Sequence, residues 1–544
     1  MLTIIFILAF VAFAAAYLLY GRFLERRFGL DNCNSTPSHT DNDGVDRVPA
    51  SKMVLLGHHF SSIAGAGPIV GPIIAAAAFG WLPTLLWIVI GSIFIGGVHD
   101  FSAMVASIRH KARSIAEISR EYMSPLAYKL FLSFIWLTLV YVLIVFTDLT
   151  ATTFALDGGV ATSSLLFIIL ALGFGVSVYR FKIPVLWASV IFVPLVFLSV
   201  WLGQAIPLRA EIIPKIIAGD SAKTWDIVLI IYAFIASTTP VWMLLQPRDY
   251  LSSYLLYASI LGGFVGILFG GFAMQYPAFN AWNAPGLGAL FPILFITVAC
   301  GACSGFHSVV ASGTSSKQLD KECDAKPVGY GSMLIEGLVA VIALITVIML
   351  PKGDALAGKP PLVVYGSGMS KFLSIFGIPP NLGYSFGLLA LSTFILTTLD
   401  TATRLGRYIF EELFNLKGNG TRYLSTAATL VLPTIFVLIT LKDSAGNPLP
   451  AWKVIWPVFG ATNQLLAGLA LLVASVWLKQ TGKKTGFIIW PMIFMVIMTL
   501  WALFLLIGQY KMNVIGIIAG ILLLMSLVLI WEAYRSLRSH RGDK

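Results

Sequence analysis

The sequence predicts an all-α polytopic membrane protein, and three observations carry that prediction. Hydrophobic residues make up 58% of the 544 positions and charged residues only 11%, with a mean hydropathy of +0.87, a balance foreign to water-soluble domains. Apolar runs of about 20 residues, the length that crosses a hydrocarbon layer roughly 30 Å thick at about 1.5 Å per residue, recur along the chain. The basic residues, finally, gather at the ends of those runs.

About fifteen runs qualify as spans. They cover residues 2–20, 53–79, 82–108, 126–146, 162–178, 183–202, 225–245, 251–272, 290–312, 331–349, 382–399, 424–441, 454–478, 487–507 and 514–531. The first lacks the basic stretch and small-residue cleavage site of a removable signal, so it reads as a spanning helix. With the amino terminus outside, alternate connections are cytoplasmic. These hold Arg22, Arg26 and Arg27, then Arg109, Lys111, Arg113 and Arg120, and further on Lys317, Lys321, Lys326, Lys479, Lys483, Lys484, Arg535, Arg538 and Arg541. Roughly three-quarters of all Lys and Arg fall on that side, as the positive-inside rule requires. The net charge of +11 therefore reports topology, and nucleic acid is not an expected partner. The lipid bilayer is.

The longest polar connections, 31–52, 203–224 and 350–371, are short beside a globular domain of about 100 residues. One membrane domain, 1–544, is therefore expected, with a peripheral first helix in 1–30, a core in 48–410 and additional helices in 420–544. The four cysteines, Cys33, Cys300, Cys303 and Cys323, are too few and too scattered for a disulfide framework.

Function must then lie inside the membrane. The stretch Gly57-His58-His59-Phe60-Ser61-Ser62-Ile63-Ala64-Gly65-Ala66-Gly67-Pro68-Ile69-Val70-Gly71-Pro72 predicts an interrupted helix, because proline removes an amide donor and broken backbone at membrane depth lines a cavity. Close packing through small residues is the plainer alternative. A second irregular stretch, Ser237-Thr238-Thr239-Pro240-Val241-Trp242, lies five spans later and runs the opposite way. That offset suits a five-plus-five inverted repeat with discontinuous helices, although a hydroxyl-supported proline kink explains it equally. Substrate is expected between Gly65, Ala66, Gly67 and Gly71 on one side and Ser237, Thr238, Thr239 and Trp242 on the other, with His307 at the border.

Ionisable residues within spans are costly and mark pathways. His58, His59, Asp100, Asp148 and Asp400 are candidates for a coupling ion or proton, with the hydroxyls of Ser304 and Ser308; His99 and Glu336 share the same apolar setting. Asp400 and Arg404 are four apart on one helix face, so a simple pair is expected. Adjacent His58 and His59 point about 100° apart on a helix, so a shared metal is not expected. Cys300 and Cys303 form a C-x-x-C without a second ligand pair or a thioredoxin-like context, so they read as packing residues.

Several long motifs resemble the carbon starvation protein family, CstA, known as peptide transporters with relatives that import pyruvate. They are Asp43-Gly44-Val45-Asp46, Val54-Leu55-Leu56-Gly57-His58-His59-Phe60, Gly80-Trp81-Leu82-Pro83, His99-Asp100-Phe101, the stretch 300–319, Leu396-Thr397-Thr398-Leu399-Asp400-Thr401-Ala402-Thr403-Arg404, and Ile455-Trp456-Pro457 leading to Ala461-Thr462-Asn463-Gln464. The resemblance implies an inner-membrane importer of di- and tripeptides used when nutrients are scarce, related to five-plus-five transporters. Cys303 replaces the aliphatic residue expected in many relatives, which argues against cysteine chemistry. With no P-loop for ATP, the expected mechanism is alternating access driven by H⁺ or Na⁺, without a cofactor. A proton-coupled pyruvate symporter is the nearest rival; an intramembrane redox or metal enzyme and a membrane sensor are rivals of other classes.

Overall fold

Helix formation follows the apolar runs almost one for one in the computed structural model, which describes residues 1–43, 47–208, 220–240, 242–418, 420–442 and 448–539. Residues 44–46 of the first family motif, Val241 and Arg541 lie outside the described residues. Among the described residues, 13 helices are long and apolar enough to cross a membrane, and a fourteenth crossing is a bent pair, Lys52–Ile63 and Gly67–Phe79, at 45°. The remaining run, 290–312, is also helical but divided, into Leu290–Thr297 and Gly305–Gly313.

Burial sorts these helices into layers. The Ala451–Gln480 window is 100% buried and that of Glu322–Ile348 is 94% buried, whereas Leu2–Phe28 and Gly486–Tyr510 reach only 28%. The outer helices turn large apolar side chains outward, among them Leu19, Leu186, Trp187, Trp490 and Phe504. Water would penalise that surface at roughly 25 cal/mol per Å², while lipid does not, so the chain is a multi-pass membrane protein.

Contacts join the basic connections on one face. Lys326 Nζ donates to Glu25 at 2.8 Å, Arg109 Nη2 to the Gly29 carbonyl at 2.9 Å, and Lys483 Nζ to the Phe28 carbonyl at 3.0 Å. Burial, and then the nearby Arg109 charge, hold the Lys483 ammonium below its ordinary range. The opposite face is joined by Tyr276, whose hydroxyl donates to Ala77 O at 2.9 Å, and by Ser385, whose hydroxyl donates to Asp157 at 2.6 Å.

Two expectations are corrected here. The 350–371 stretch is more than a polar connection, since from residue 361 it runs into the helix Pro361–Leu373. That helix packs closely on Pro380–Leu413 where Gly366, Gly383 and Gly387 leave room. The proline at 240 does not kink a span. Ser221–Thr238 ends before it and Leu245–Phe269 begins a few residues later, so Pro240 sits in a connection, where its missing donor costs little.

Candidate functional site

The first interruption lies where the glycines and prolines place it. Lys52–Ile63 closes with Ala64 N donating to Phe60 O at 2.9 Å, and Gly65 N turns back to Ile63 O at 2.8 Å. Gly67–Phe79 then restarts with Pro68 in its first turn, where the amides have no intrahelical partner to lose.

The second interruption, 298–304, has no proline. Ala302 and Cys303 both donate to Ala299 O, at 3.2 and 2.7 Å, which tightens the backbone into a turn. Asn463, from the buried Ala451–Gln480 helix, then supplies the cap that Gly305–Gly313 lacks locally. Its Oδ1 accepts from Phe306 N at 2.9 Å, and its Nδ2 donates to Ser304 Oγ at 3.0 Å and Cys300 Sγ at 3.2 Å.

These two interruptions abut each other. A Cβ on Gly67 would overlap the Cβ and Sγ of Cys300, and one on Gly71 would come within 2.5 Å of Thr297 O. Only hydrogen at both positions permits the approach. Beside the contact lies a narrow cavity lined by Gly65, Gly67, Cys300, Ser304, Thr398 and Asn463, with Val142, Phe146, Phe306 and Phe459 as apolar wall. It has room for about one water molecule. Apolar walls with a few convergent polar groups are the usual make-up of a small-molecule site.

Of the expected substrate residues, Gly65 and Gly67 line this cavity, Ala66 is buried at the hinge and Gly71 is a packing contact. Ser237, Thr238, Thr239 and Trp242 do not line it. Ser237 Oγ meets Thr426 at 3.3 Å, while Thr238 and Thr239 hydroxyls donate to carbonyls of their own last turn. Trp242 is exposed beside Tyr179. The partner of the first break is thus 298–304, which brings helix termini to the cavity as the 237–242 connection does not.

His307 does not line the cavity and sits instead in a fully buried ionisable cluster. Its Nδ1 donates to Asp100 Oδ2 at 2.8 Å, and His99 Nδ1 donates to Asp100 Oδ1 at 2.7 Å. Glu336 Oε2 stands 3.2 Å from His307 Nε2, close enough to pair electrostatically but without hydrogen-bond alignment. His59 is within electrostatic reach of Asp100 and His307 and bonds Ser315 Oγ at 2.8 Å. The Ile63 carbonyl, at the end of the first half-helix, also reaches His307. A π-turn, Ser92–Gly96, precedes His99 and Asp100, a feature frequent at functional positions.

The remaining expected residues separate. His58 Nδ1 donates to Asp249 Oδ2 at 2.8 Å. Ser308 Oγ returns to Gly305 O at 2.7 Å, and Asp148 accepts from Trp452 N at 2.7 Å. Asp400 does not pair with Arg404. It pairs with the buried Arg248 and accepts from Tyr232 OH at 2.7 Å, while Arg404 donates to Ala236 O and Thr239 O at 2.9 and 2.7 Å. Helical spacing put Arg404 within reach, but the carbonyls freed at the end of Ser221–Thr238 claim it. Among the described residues, no group of three or more His, Cys, Asp or Glu is arranged to hold a metal ion.

The fold and these interruptions define a multi-pass α-helical membrane protein with broken helices around an inner cavity. The chain belongs to the family described as carbon starvation protein CstA, whose profile matches residues 1–366 and 353–502. It is 32% identical to the peptide transporter CstA of Campylobacter jejuni, over 89% of this chain and 77% of that protein. It is 31% identical to the pyruvate/proton symporter BtsT of Escherichia coli K12, over 90% of this chain and 80% of that one. The solved structure of the Eremococcus coleocola manganese transporter with an aromatic bis-isothiourea substituted compound aligns at a TM-score of 0.44 and 15% identity, over 92% of this chain and 99% of that chain.

Proposed function

We propose that this chain is a secondary active transporter that imports small peptides, di- and tripeptides, across the bacterial inner membrane by alternating access. Pyruvate, or a similar small carboxylate, is the second reading. The observation that carries the proposal is the meeting of two helix interruptions at one cavity. The restarting halves, Gly67–Phe79 and Gly305–Gly313, turn their amino-terminal ends toward it, and such ends attract a carboxylate. Both substrate classes carry one, and relatives named for each stand at similar identity. Substrate would sit between Gly65, Gly67, Ser304 and Asn463, against Phe146 and Phe459. The cavity is nearly closed, so loading requires the two breaks to move apart.

Coupling is assigned to protons. Asp100, His307 and Glu336, with His99 and His59, offer carboxylate and imidazole groups one contact from the Ile63 end of the break. Of the hydroxyls that would form a sodium cage, Ser312 Oγ accepts from Ile115 N at 3.1 Å and Ser316 Oγ from Ser107 Oγ at 2.9 Å, which engages lone pairs a cation would need. The positive-inside rule makes the basic face cytoplasmic, with the amino terminus periplasmic and the carboxyl terminus cytoplasmic. Purified protein in liposomes, given dipeptides, tripeptides or pyruvate under separately imposed H⁺ and Na⁺ gradients, tests this. An inward proton gradient alone should drive accumulation. Accumulation driven only by sodium would overturn the coupling, and no accumulation of any of these solutes would overturn transport.

A further inference from the structure

Between the cavity and the basic face lies a second buried charge cluster that the cavity does not use. Arg248 sits in the first turn of Leu245–Phe269 and is 0% exposed. Its Nη1 donates to Tyr232 OH at 2.6 Å and pairs with Asp400. Its Nε and Nη2 have no hydrogen-bond partner among the described residues. Those two atoms form one edge of the planar guanidinium, with parallel N–H groups spaced to meet the two oxygens of a carboxylate.

A buried cation with half its donors idle is expensive, because each unpaired polar group forfeits its hydration without compensation. A structural ion pair would use the fork fully. Here Asp400 engages one oxygen only, and its Oδ1 is unpartnered among the described residues. The neighbouring cations hold backbone carbonyls: Arg404 meets Ala236 O and Thr239 O through Nη2, and Arg407 meets Ser237 O through Nη1 at 2.8 Å, each with its Nε unpartnered among the described residues. Asp249 is met by His58 at Oδ2, while its Oδ1 is unpartnered among the described residues. Of the three arginines, Arg248 is the one with both Nε and Nη2 buried and unpartnered among the described residues, and that edge is what an incoming carboxylate would meet.

Its position is on the way out of the cavity. Thr398, which lines the cavity, donates to Ser62 O at 3.2 Å, and Asp400 follows two residues later on the same helix. Ser62 Oγ and Thr401 Oγ1, close in sequence to these groups, are likewise unpartnered among the described residues.

We propose that the Nε–Nη2 edge of Arg248 is a second carboxylate subsite, which receives the acid group of the substrate after it leaves the helix breaks toward the basic face. This rests on the transport reading above. The subsite selects free acids over neutral analogues and holds them while the cavity between the two helix breaks closes.

The test compares liposome uptake of alanylalanine with its carboxamide, and of pyruvate with pyruvamide, in the wild type and in Arg248→Gln, Arg248→Lys and Asp400→Asn. The wild type should prefer acids, Arg248→Gln should cut the acid-to-amide ratio at least tenfold, and Arg248→Lys, which keeps the charge without the fork, should fall between. Asp400→Asn, which leaves the open edge intact, should keep the preference. An unchanged ratio in both Arg248 variants, with rates lowered equally for acid and amide, would make Arg248 a structural pair only and overturn the subsite. Equal uptake of acid and amide by the wild type would do the same. Failure of the wild type to move any of the four solutes would instead overturn the transport reading itself.

Discussion

Adding a single methyl group where the two helix interruptions touch should be enough to disable the protein. In Gly67→Ala the new Cβ overlaps both Cβ and Sγ of Cys300, and neither neighbour is the far end of a flexible chain. Overpacking of a filled interior costs about 1–3 kcal/mol, which is roughly a 5- to 150-fold shift in an equilibrium, since about 1.4 kcal/mol is tenfold. The shift falls on the state in which the breaks are together, so the closed state is lost and uptake falls by that factor. Cys300→Gly removes both clashing atoms and leaves Cys300 Cα at 3.5 Å from the added carbon, an ordinary contact. The double variant Gly67→Ala with Cys300→Gly should therefore recover most of the activity, less the cost of about 0.5–1 kcal/mol for a freer backbone. Initial uptake rates of labelled dipeptide or pyruvate in liposomes, normalised to folded protein by size-exclusion profile, provide the readout. Wild-type uptake by Gly67→Ala alone, or a double variant as poor as the single, would refute the reasoning.

Three further outcomes are expected. Asn463→Ala removes the cap on Phe306 N and the link to Ser304, so the second break loosens; a cap is worth about 1 kcal/mol, and substrate KM should rise about fivefold in an uptake titration while the protein still folds. Glu336→Gln should leave substrate binding in place but flatten the dependence of uptake on an imposed pH gradient, because a group that can exchange protons is replaced by one that cannot; a full proton response in the variant would remove Glu336 from the coupling path. Cys303→Ala should retain uptake within about threefold, since the thiol is buried and packs as a small apolar group, and complete loss in a well-folded sample would revive a chemical role for the cysteines.

The membrane class and nearly every helix were legible because hydrocarbon imposes one rule on every span, and that rule is written in composition. The break at 64–66 was legible for a related reason: Pro68 marks backbone that has lost a donor. The break at 298–304 carries no proline. Its Ala, Cys and Gly residues read as ordinary small-residue packing, and the turn is held by Asn463 from a helix more than 150 residues away in sequence, as the separation of 159 between Ser304 and Asn463 records. A neutral amide such as Asn463 carries no charge and so does not stand out within an apolar span. The Asp400 pairing was misread because helical spacing reports reach along one helix and says nothing of a competitor on another. Arg248 falls between the expected spans 225–245 and 251–272, yet Leu245–Phe269 starts before it and carries it into the interior. Pro240 reads as a hydroxyl-supported kink because it falls inside the apolar run 225–245, whereas Ser221–Thr238 ends before it.

A density map of the protein in a lipid nanodisc with bound substrate would test the central claim most directly. The account predicts density for the solute between the Gly65 and Gly67 backbone and the Cys300 to Ser304 turn, within hydrogen-bond distance of Asn463 or of the amides that begin Gly67–Phe79 and Gly305–Gly313. Solute density away from both this gap and the Arg248 edge, with the two breaks still pressed together as they are here, would contradict it.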